Sequence, residues 1–527
     1  MAEDLSEVTE SAQGPSNAAG PRSIRKLVTN ALLNLCRGAA SALLPILLPA
    51  VLLRQLHPPE AFSAWVLILQ VAAYVGLLDL GLQVAVGRFV AREHELNETA
   101  SRNAYYRTAL LLLAACSVLG ALAVIVVSFR FELLFPAVHG ALIEKARWSM
   151  LVVGLAAALG LPGSAAAGFF IGLERNVVPT VVLGLGKALQ GVATTWAAWS
   201  THDLFITASA FAASYLATQI IQVGSVRFLV RDSRHGASQL AQEPLKELIN
   251  YCATLSLWTV GGLLVTGLDI ILVNRFQFGL VAAYASAANL IAVFVGIMSS
   301  AFNVLGARSS SMDAAGESER LGTLLLASSR WCSLLTVLLG VTAWSFARWG
   351  LNHWLGPSVG ADALPLFHVL VIANAVRMPL VPYSVVLLGT GQQKLALWAP
   401  FAEGVANLAA SLVLGSIYGA IGVAFGTLAG AAVGVFWQIV VNMPKTVRIP
   451  CRPLPFIREG YAIPAVALLP LAGLTLVPSG GVRHPAQAGI GLLVLALIWF
   501  VGVPQTERKR LLGYLGGRSR STKGTTT

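Results

Sequence analysis

Apolar residues fall along this chain in long uninterrupted runs rather than in the short alternating pattern of a half-buried strand. Residues 108–127, 151–171 and 417–441 form three such runs. Each run is long enough to cross about 30 Å of hydrocarbon at a rise of about 1.5 Å per residue. In hydrocarbon a helix satisfies its own backbone hydrogen bonds, whereas an open strand does not. The pattern therefore predicts transmembrane helices and an all-α membrane protein.

Across the whole chain the same pattern predicts about 14 transmembrane helices. We place them at residues 32–53, 62–87, 107–128, 148–171, 177–200, 204–226, 250–274, 280–304, 324–346, 363–388, 395–416, 419–441, 460–478 and 486–504. An even number of helices places both termini on one side of the membrane. The expected organisation is a disordered tail at 1–24, six-helix bundles at 25–235 and 236–445, two additional helices at 446–506 and a basic disordered tail at 507–527.

Lys and Arg are distributed unequally between the two sides that this topology defines. Only seven of the 36 fall on the side away from the termini, namely Arg54, Arg130, Lys145, Arg147, Arg275, Arg348 and Arg483. The side of the termini carries 25, and the remaining four lie within predicted helices. Cytoplasmic loops collect Lys and Arg. The distribution therefore predicts cytoplasmic termini and a multi-pass protein of the bacterial inner membrane.

Composition changes how the charge is interpreted. The chain is 56% hydrophobic and 11% charged, with a mean hydropathy of +0.73, whereas soluble domains carry about 25% charged residues. A net charge of +12 would suggest nucleic-acid binding in a soluble protein. Here the basic loops and anionic lipid headgroups account for the charge, and we expect no nucleic-acid partner. The sequence contains no GxxxxGK[ST] string and no metal-type cysteine spacing, so we expect no metal or other cofactor.

The two predicted six-helix bundles carry similar sequence signals. Residues 172–175 (GLER) lie at the turn after the fourth helix and residues 391–394 (GQQK) at the turn after the tenth, an offset of 219 residues. Proline-containing stretches at 160–163 and 379–382 have the same offset. Because six helices separate the copies, the halves share one orientation, which predicts a parallel pseudo-two-fold axis of the kind that recurs in transporters. Chance similarity of short Gly-containing turns is the alternative.

Four stretches of the chain resemble the polysaccharide transporter family of the multidrug, oligosaccharidyl-lipid and polysaccharide exporter superfamily. They are residues 78–91 (LDLGLQVAVGRFVA), 172–176 (GLERN), 388–394 (LGTGQQK) and 418–427 (YGAIGVAFGT). The resemblance covers roughly residues 25–445 and rests on spaced, Gly-rich patterns rather than on a catalytic motif.

The resemblance implies a transporter and not an enzyme. Members of the family flip undecaprenyl-diphosphate-linked oligosaccharides, such as repeat units of O-antigen (lipopolysaccharide) or exopolysaccharide, to the outer leaflet by alternating access between two halves. The expected partners are a lipid-linked oligosaccharide, membrane lipids, a coupling ion (H⁺ or Na⁺) and polysaccharide assembly proteins. Two alternatives stay open. One is an ion-coupled multidrug-extrusion-type antiporter, and the other is a membrane glycan polymerase or lipid-dependent glycosyltransferase.

A diphosphate substrate would need cations inside the membrane, where charged side chains are costly. Arg37, Lys187 and Arg377 lie within predicted helices one, five and ten, and Arg88 closes the second helix at its cytoplasmic end. We expect these four to bind phosphate or sugar hydroxyls, Arg through a planar fork and Lys as a point charge. The alternative is that they pair with acidic residues and only join helices. Arg330 fits a side chain that reaches the cytoplasmic surface.

Three acidic residues are the corresponding candidates for binding a coupling ion. Asp79, Asp269 and Glu403 lie within predicted helices, and a carboxyl group in a helix bundle is suited to take up H⁺ or Na⁺. Asp79 also fits a helix cap or a loop contact. Pro162 and Pro379 predict kinks in helices four and ten, because proline removes a backbone hydrogen bond. Such kinks fit either moving parts of a gate or static bends.

Overall fold

The computed structural model describes residues 44, 46–230, 242–392, 395, 398–447, 449–466, 493–494, 496–503, 505 and 508. Arg37, the N-terminal tail and most of predicted helices thirteen and fourteen lie outside the described residues. The five-part division of the chain therefore stays a prediction.

The described residues are helical almost throughout, with no β-strand among them. The α-helices are α1 (Ile46–Gln55), α2 (Glu60–Gly76), α3 (Leu82–Glu95), α4 (Thr99–Phe129), α5 (Phe131–Leu134), α6 (Ala141–Gly160), α7 (Pro162–Gly172), α8 (Val177–Thr201), α9 (Leu204–Leu229), α10 (Gln242–Thr266), α11 (Asp269–Gln277), α12 (Val281–Phe302), α13 (Val304–Ala314), α14 (Ser318–Leu355), α15 (Pro357–Arg377), α16 (Val381–Gly389), α17 (Trp398–Tyr418), α18 (Ala420–Phe436), α19 (Pro453–Ile457) and α20 (Ile463–Val466). Short 3₁₀ or π segments adjoin them at Leu77–Asp79, Phe278–Leu280, Met378–Leu380, Trp437–Asn442, Met443–Lys445, Arg458–Ala462 and Ile498–Gly502.

Ten helical segments in the described part of the chain are long and apolar enough to cross a membrane. One of them, Val260–Phe302, covers most of predicted helices seven and eight, which meet at the turn Phe278–Leu280. The helix α1 is the described part of predicted helix one. Predicted helices one to twelve, which we call spans one to twelve, thus each have a counterpart. The prediction of an all-α polytopic membrane protein is confirmed.

The two sets of six spans have the same internal packing. In the first half α6 packs against α2, α4 and α9, and α8 packs against α9. In the second half α15 packs against α12, α14 and α18, and α17 packs against α18. Each helix pair that packs in the first half therefore has a counterpart in the second half, six spans later in the chain. This agreement is what a parallel repeat requires.

The register of the repeat differs from the one that the sequence motifs suggested. Span four breaks at Pro162 and span ten at Pro379. After the break, an added Cβ at Gly172 or Gly389 would lie 2.7 or 2.5 Å from a backbone carbonyl oxygen of another helix. Both pairs are offset by 217 residues, so the structural counterpart of Gly172 is Gly389 and not Gly391. The predicted offset of 219 was wrong because a short Gly-containing turn does not fix a register to one residue.

The two ends of the spans differ in how the halves meet. We call the end with the connections at 96–98, 173–176 and 315–317 the basic side, and the end with those at 130–140 and 202–203 the opposite side. Towards the opposite side one continuous apolar core contains residues of both halves, such as Leu56 and Leu355. Towards the basic side there are two separate cores, one formed by the first half together with Leu248 and Cys252 of α10 and the other by the rest of the second half. The halves are therefore closed together at the opposite side.

Polar contacts join the halves in the same region. The indole Nε1 of Trp354 donates to the carbonyl oxygen of Ile46 at 2.6 Å. The carbonyl oxygen of Gly267 accepts a hydrogen bond from Gln70 Nε2 at 3.0 Å and another from the hydroxyl of Tyr74. Gly267 lies in the break between α10 and α11, where helical carbonyl groups lack an intrahelical partner. Span two therefore satisfies a backbone group that the break in span seven exposes.

Asp203 stabilises the connection between spans five and six. Its carboxylate accepts hydrogen bonds from the N–H groups of Phe205 at 2.8 Å and Ile206 at 3.1 Å, and from Lys145 Nζ at 2.5 Å. Burial disfavours the charged carboxylate, but Lys145 and these N–H groups outweigh burial and hold the pKa of Asp203 below its usual range. The resulting stability is present above the ordinary carboxyl pKa and is lost as the pH falls through the lowered pKa of the folded protein.

We expect Asp203→Ala to lower the free energy of unfolding by about 1 kcal/mol, the usual effect of losing an N-cap. Asp203→Asn keeps a capping oxygen and loses only the charge, so its effect should be smaller. Denaturant unfolding in detergent at pH 7 measures both. The difference between wild type and Asp203→Asn should shrink as the pH falls below the ordinary carboxyl pKa and should vanish below the lowered pKa of the folded protein, where the carboxylate takes up its proton. A pH-independent difference would contradict the assignment.

Candidate functional site

Arg377 ends α15 where span ten breaks. The 3₁₀ turn Met378–Leu380 follows it, and Pro379 in that turn has no N–H with which to continue the helix. Arg377 lies twelve residues before the end of the span at Gly389, or about 18 Å at 1.5 Å per residue. The break thus turns the backbone directly after a charged side chain that lies within the membrane span.

The guanidinium of Arg377 forms an ion pair with Glu403 of α17 through Nη2. Nη1 lies 3.4 Å from Asn374 Oδ1, and Nε is buried with no hydrogen-bond partner among the described residues. The side chain of Arg377 is 22% exposed and that of Glu403 is 9% exposed. The arrangement agrees with the alternative that intramembrane cations pair with acids. It also leaves N–H donors of the guanidinium unused.

Asp269 lies at the start of α11 in a cluster of neutral polar groups. Its carboxylate accepts hydrogen bonds from Tyr284 Oη at 3.0 Å, Thr427 Oγ1 at 3.0 Å and Asn407 Nδ2 at 3.2 Å. Asn407 Nδ2 also donates to the carbonyl oxygen of Val265, at 2.7 Å, on the other side of the helix break. The side chains of α12, α17 and α18 therefore converge on one carboxylate that is 6% exposed.

Further oxygen atoms lie next to this carboxylate. Ser411 Oγ donates to Asn407 Oδ1 at 3.0 Å and lies 3.2 Å from the carbonyl oxygen of Val423. Thr427 Oγ1 lies 3.3 Å from the same carbonyl oxygen. The carboxylate itself is contacted by two hydroxyl groups and by the amide nitrogen of Asn407, while the oxygens of Asn407 and Val423 accept hydrogen bonds from Ser411 and Thr427. Carboxylate, hydroxyl, amide and carbonyl oxygens are the hard donors that alkali and alkaline-earth cations prefer. We call Asp269, Asn407, Ser411, Thr427 and the Val423 carbonyl group the oxygen cluster.

The two arrangements are connected along α17. Glu403, Asn407 and Ser411 are spaced four residues apart and therefore lie on one face of the helix. Glycines of α18 at the same spacing face them. A Cβ added at Gly434 would lie 2.5 Å from Glu403 Oε2, and one at Gly430 would lie 2.7 Å from the Cβ of Asn407. The glycines thus allow α18 to approach a helix face made of polar side chains.

The close approach of α17 and α18 predicts a large effect for Gly426→Ala. Its methyl group would lie 2.6 Å from the backbone nitrogen of Ser411, so the helices must separate at the oxygen cluster. We expect a loss of about 1–3 kcal/mol in the free energy of unfolding, typical of overpacking. Thermal unfolding in detergent measures it. The matched control is Gly296→Ala in α12, where an added Cβ meets no atom within 4 Å and which should be neutral or stabilising. Equal behaviour of the two variants would contradict the packing argument.

Asp79 joins two helix breaks in the first half. Its Oδ1 accepts a hydrogen bond of 2.5 Å from Ser164 Oγ of α7, and its carboxylate accepts from N–H groups at the start of α3. The next two residues, Leu80 and Gly81, have φ values of 51° and 77°, and this left-handed turn breaks span two. The contacts agree with the capping interpretation of Asp79. Its role in ion coupling stays a prediction.

Arg88 lies at the basic side between the two halves. Its guanidinium carbon is 5.0 Å from the centre of the Tyr251 ring in α10, a cation–π geometry. One turn later Arg92 Nη2 lies 3.2 Å from Glu247 Oε2, and Tyr105 Oη donates to the same oxygen at 2.6 Å. The start of α10 is therefore attached to the first half. Arg88 is exposed, and its role in substrate binding stays a prediction.

The remaining basic candidates are Lys187 and Arg37. Lys187 is exposed on α8 and lines a groove of about 500 Å³. The groove is otherwise lined by Leu44, Leu47, Leu48, Ala188, Gly191, Val192, Thr195, Trp196 and Trp199. All of these residues belong to the first half, whereas Arg377 pairs with Glu403 in the second. The roles of Lys187 and Arg377 as phosphate ligands stay predictions. Arg37 lies outside the described residues, and its role stays a prediction.

Arg330 of α14 is largely buried and paired with an acidic residue of the segment after span twelve. Its Nη1 donates to Glu459 Oε2 at 2.7 Å, and its side chain is 12% exposed. Ser333, one turn along α14, donates to the carbonyl oxygen of Gly460 at 2.5 Å. Glu459 precedes the predicted thirteenth helix by one residue, and the interpretation of Arg330 as a side chain that reaches the cytoplasmic surface stays a prediction. The ion pair and this hydrogen bond connect the segment after span twelve to span nine.

Sequence reasoning missed the neutral polar residues around Asp269, which are Tyr284 and the uncharged side chains of the oxygen cluster. Asn407, Ser411, Thr427 and Tyr284 carry no charge and so do not stand out in an apolar segment. The four-residue spacing from Glu403 through Asn407 to Ser411 was the available signal. Among the described residues no group of three His, Cys, Asp or Glu side chains lies together as a metal site would require.

No family model matches the chain, and no curated protein matches it either. Solved structures do. A lipid II flippase MurJ in an inward closed conformation matches with a TM-score of 0.69 at 12% identity, over 91% of this chain and 99% of that one. An inward-facing multidrug resistance MATE family transporter of the MOP superfamily matches with a TM-score of 0.61 at 15% identity, over 77% of this chain and 96% of that one. A MATE in the bent conformation matches with a TM-score of 0.54 at 16% identity, over 78% and 93% of the two chains. The chain thus has the fold shared by MurJ and the MATE transporters of the MOP superfamily, the superfamily to which its sequence motifs pointed.

Proposed function

We propose that this chain flips an undecaprenyl-diphosphate-linked oligosaccharide, such as an O-antigen or exopolysaccharide repeat unit, across the bacterial inner membrane. The observation that carries the proposal is Arg377, a partly exposed guanidinium at a helix break inside the membrane, with an Nε that has no hydrogen-bond partner among the described residues. A planar cation with unused donors is suited to a phosphate group. In an apolar environment such a contact is much stronger than in water.

An apolar groove between the halves supports an amphiphilic substrate. It measures about 360 Å³ and is lined by α1, α12, α14 and α15, with Ile46, Phe294, Trp354 and Phe367 among its residues. While the polar headgroup of such a lipid crosses the membrane along a polar path, its isoprenoid chain needs an apolar surface next to that path. The groove would hold part of that chain while the headgroup contacts Arg377.

The solved structures support the same proposal. The chain matches the lipid II flippase over 91% of its length and the MATE transporters over 77 to 78%. The longer match is what a chain with two spans beyond twelve would give. With the basic side in the cytoplasm, as the Lys and Arg distribution predicts, the closed opposite side corresponds to an inward-facing state, ready to accept substrate from the inner leaflet.

The oxygen cluster is the proposed site of the coupling ion. Asp269 is buried and accepts three hydrogen bonds. A proton needs one acceptor, whereas this cluster brings two hydroxyl groups, a side-chain amide and a backbone carbonyl group together with one carboxylate. That composition suits Na⁺. Membrane lipids and polysaccharide assembly proteins are the further partners that the family resemblance implies.

The proposal is tested in proteoliposomes that contain a fluorescent undecaprenyl-diphosphate-linked oligosaccharide. Protein should speed exchange of the lipid between leaflets at least about tenfold, a barrier change of about 1.4 kcal/mol, as measured by the fraction that an impermeant quencher reaches. A cationic dye serves as the second substrate, because a multidrug antiporter would move the dye instead. Dye transport without lipid exchange would overturn the proposal. A change in glycan length would indicate a polymerase or glycosyltransferase.

A further inference from the structure

Glu403 lies between the two sites of the proposed function. On one side its carboxylate is the ion-pair partner of Arg377. On the other side Asn407, one helical turn along α17, donates to Asp269 of the oxygen cluster at 3.2 Å. The substrate contact and the ion contact are thus neighbours on one helix face, and α17 is the element that both sites share.

The ion pair is arranged so that an anion can compete for it. Arg377 carries five N–H donors, of which Glu403 and Asn374 take two at most. Its Nε is buried without a hydrogen-bond partner in the described part of the chain. A diphosphate carries more charge than one carboxylate and offers oxygens for several donors at once. Phosphate binding at Arg377 therefore weakens or replaces the contact with Glu403.

Glu403 has little freedom to move by itself once displaced. Its side chain is 9% exposed, and a buried carboxylate without a partner is strongly unfavourable. Rotation towards α18 is blocked, since Oε2 lies where even a methyl group on Gly434 would approach within 2.5 Å. The displaced charge is accommodated by a shift of α17, which carries Asn407 and Ser411, or by a tighter hold on a cation in the oxygen cluster.

We propose that Glu403 is the positioning residue that couples the two sites. Phosphate at Arg377 displaces Glu403, and the displacement changes the affinity of the oxygen cluster for Na⁺ through α17. By linkage, Na⁺ changes the affinity for the substrate by the same factor. This inference rests on the proposed function, because it takes a lipid-linked diphosphate as the anion and Asp269 as the cation ligand.

The test measures the dissociation constant of an undecaprenyl-diphosphate-linked oligosaccharide for the purified protein in nanodiscs. Each variant is measured in Na⁺ and with Na⁺ replaced by choline at constant pH and ionic strength. Wild type should show a ratio of roughly 5-fold to 150-fold between the two conditions, the usual range of coupling. Glu403→Gln should still bind the lipid, since Arg377 is no longer neutralised, but its ratio should fall to about one. Glu459→Gln makes the same chemical change at the ion pair with Arg330 and should keep the wild-type ratio.

The outcomes separate the inference from the function on which it rests. If wild type binds no lipid-linked diphosphate, the proposed function fails. If wild type binds the lipid with no Na⁺ effect, or Glu403→Gln keeps the full effect, the coupling role is overturned and the flippase proposal stands. Should Glu403→Gln not fold, as judged by thermal unfolding, Glu403→Asp takes its place. The shorter side chain retains the charge but withdraws it from Arg377, so an unchanged ratio in that variant also overturns the inference.

Discussion

Removing the guanidinium of Arg377 is expected to reduce lipid-linked diphosphate transport by roughly 100-fold. Each hydrogen bond to a charged group contributes about 1.5–3 kcal/mol, and two such bonds to phosphate correspond to two or more powers of ten. We compare the transport rate of Glu403→Gln with that of the double variant that carries both Glu403→Gln and Arg377→Gln. A single Arg377→Gln change would leave the buried Glu403 carboxylate unpaired, which costs about 3–5 kcal/mol of stability and would confuse unfolding with loss of binding.

The control for this comparison is the ion pair between Arg330 of span nine and Glu459. A double change of Arg330→Gln and Glu459→Gln removes a charge pair of similar exposure that lies outside the proposed substrate path, so transport should stay within about twofold of wild type. Arg377→Lys should give an intermediate rate, because Lys keeps the charge and loses the planar fork. Near wild-type exchange in folded protein that lacks Arg377 would contradict its role in binding phosphate.

The fold was largely predictable because hydrocarbon thickness fixes the length of a span. Twelve predicted helices have a counterpart in the described residues, and the helix pairs repeat as a parallel duplication requires. The register of the duplication was not predictable from Gly172 and Gly391, which occupy different positions of the repeat. Proline at each break and close backbone approach at Gly172 and Gly389 set the register, and only the packing reveals such an approach.

The charged members of the site were predictable for a different reason. Ionisable residues inside a span are costly and so stand out in the sequence, which identified Arg377, Asp269 and Glu403. Which of them pair was left open, since Arg377 and Glu403 lie 26 residues apart on different spans. The structure shows this ion pair, whereas the hydrogen-bond partners of Asp269 are neutral. Such a choice depends on helix rotation, which apolar periodicity alone does not determine.

The neutral members of the site could not be separated from ordinary helix residues. Ser and Thr within membrane helices commonly bond a carbonyl group one turn back, and Thr427 does so with Val423. The same hydroxyl group also donates to Asp269. A threonine in the sequence does not reveal whether its hydroxyl group bonds only its own helix or also a carboxylate on another helix. The three-dimensional arrangement of α11, α17 and α18 is needed to show the contact with Asp269.

The second large effect is expected from Asp269→Asn, which should abolish the response to Na⁺. Asp269 carries the negative charge of the oxygen cluster, and an amide in its place offers one oxygen and no charge. Wild type should gain about 2.7 kcal/mol in the free energy of unfolding when Na⁺ is present at about 100 times its dissociation constant, because only the folded state forms the site. The variant should gain nothing. Unfolding in Na⁺ and in choline measures this without any transport assay.

Two controls make the Asp269 result specific. Asp203→Asn is the same acid-to-amide change at the opposite side, outside the oxygen cluster, and should keep the full Na⁺ stabilisation even though the protein itself is weakened. Thr427→Ser keeps the hydroxyl group that meets the carboxylate, whereas Thr427→Val keeps the shape and removes the oxygen. The Ser variant should therefore respond to Na⁺ and the Val variant should respond weakly. If Asp269→Asn still responds to Na⁺ as wild type does, the cation binds elsewhere. If lowering the pH without Na⁺ stabilises wild type as much as Na⁺ does, the oxygen cluster binds a proton instead.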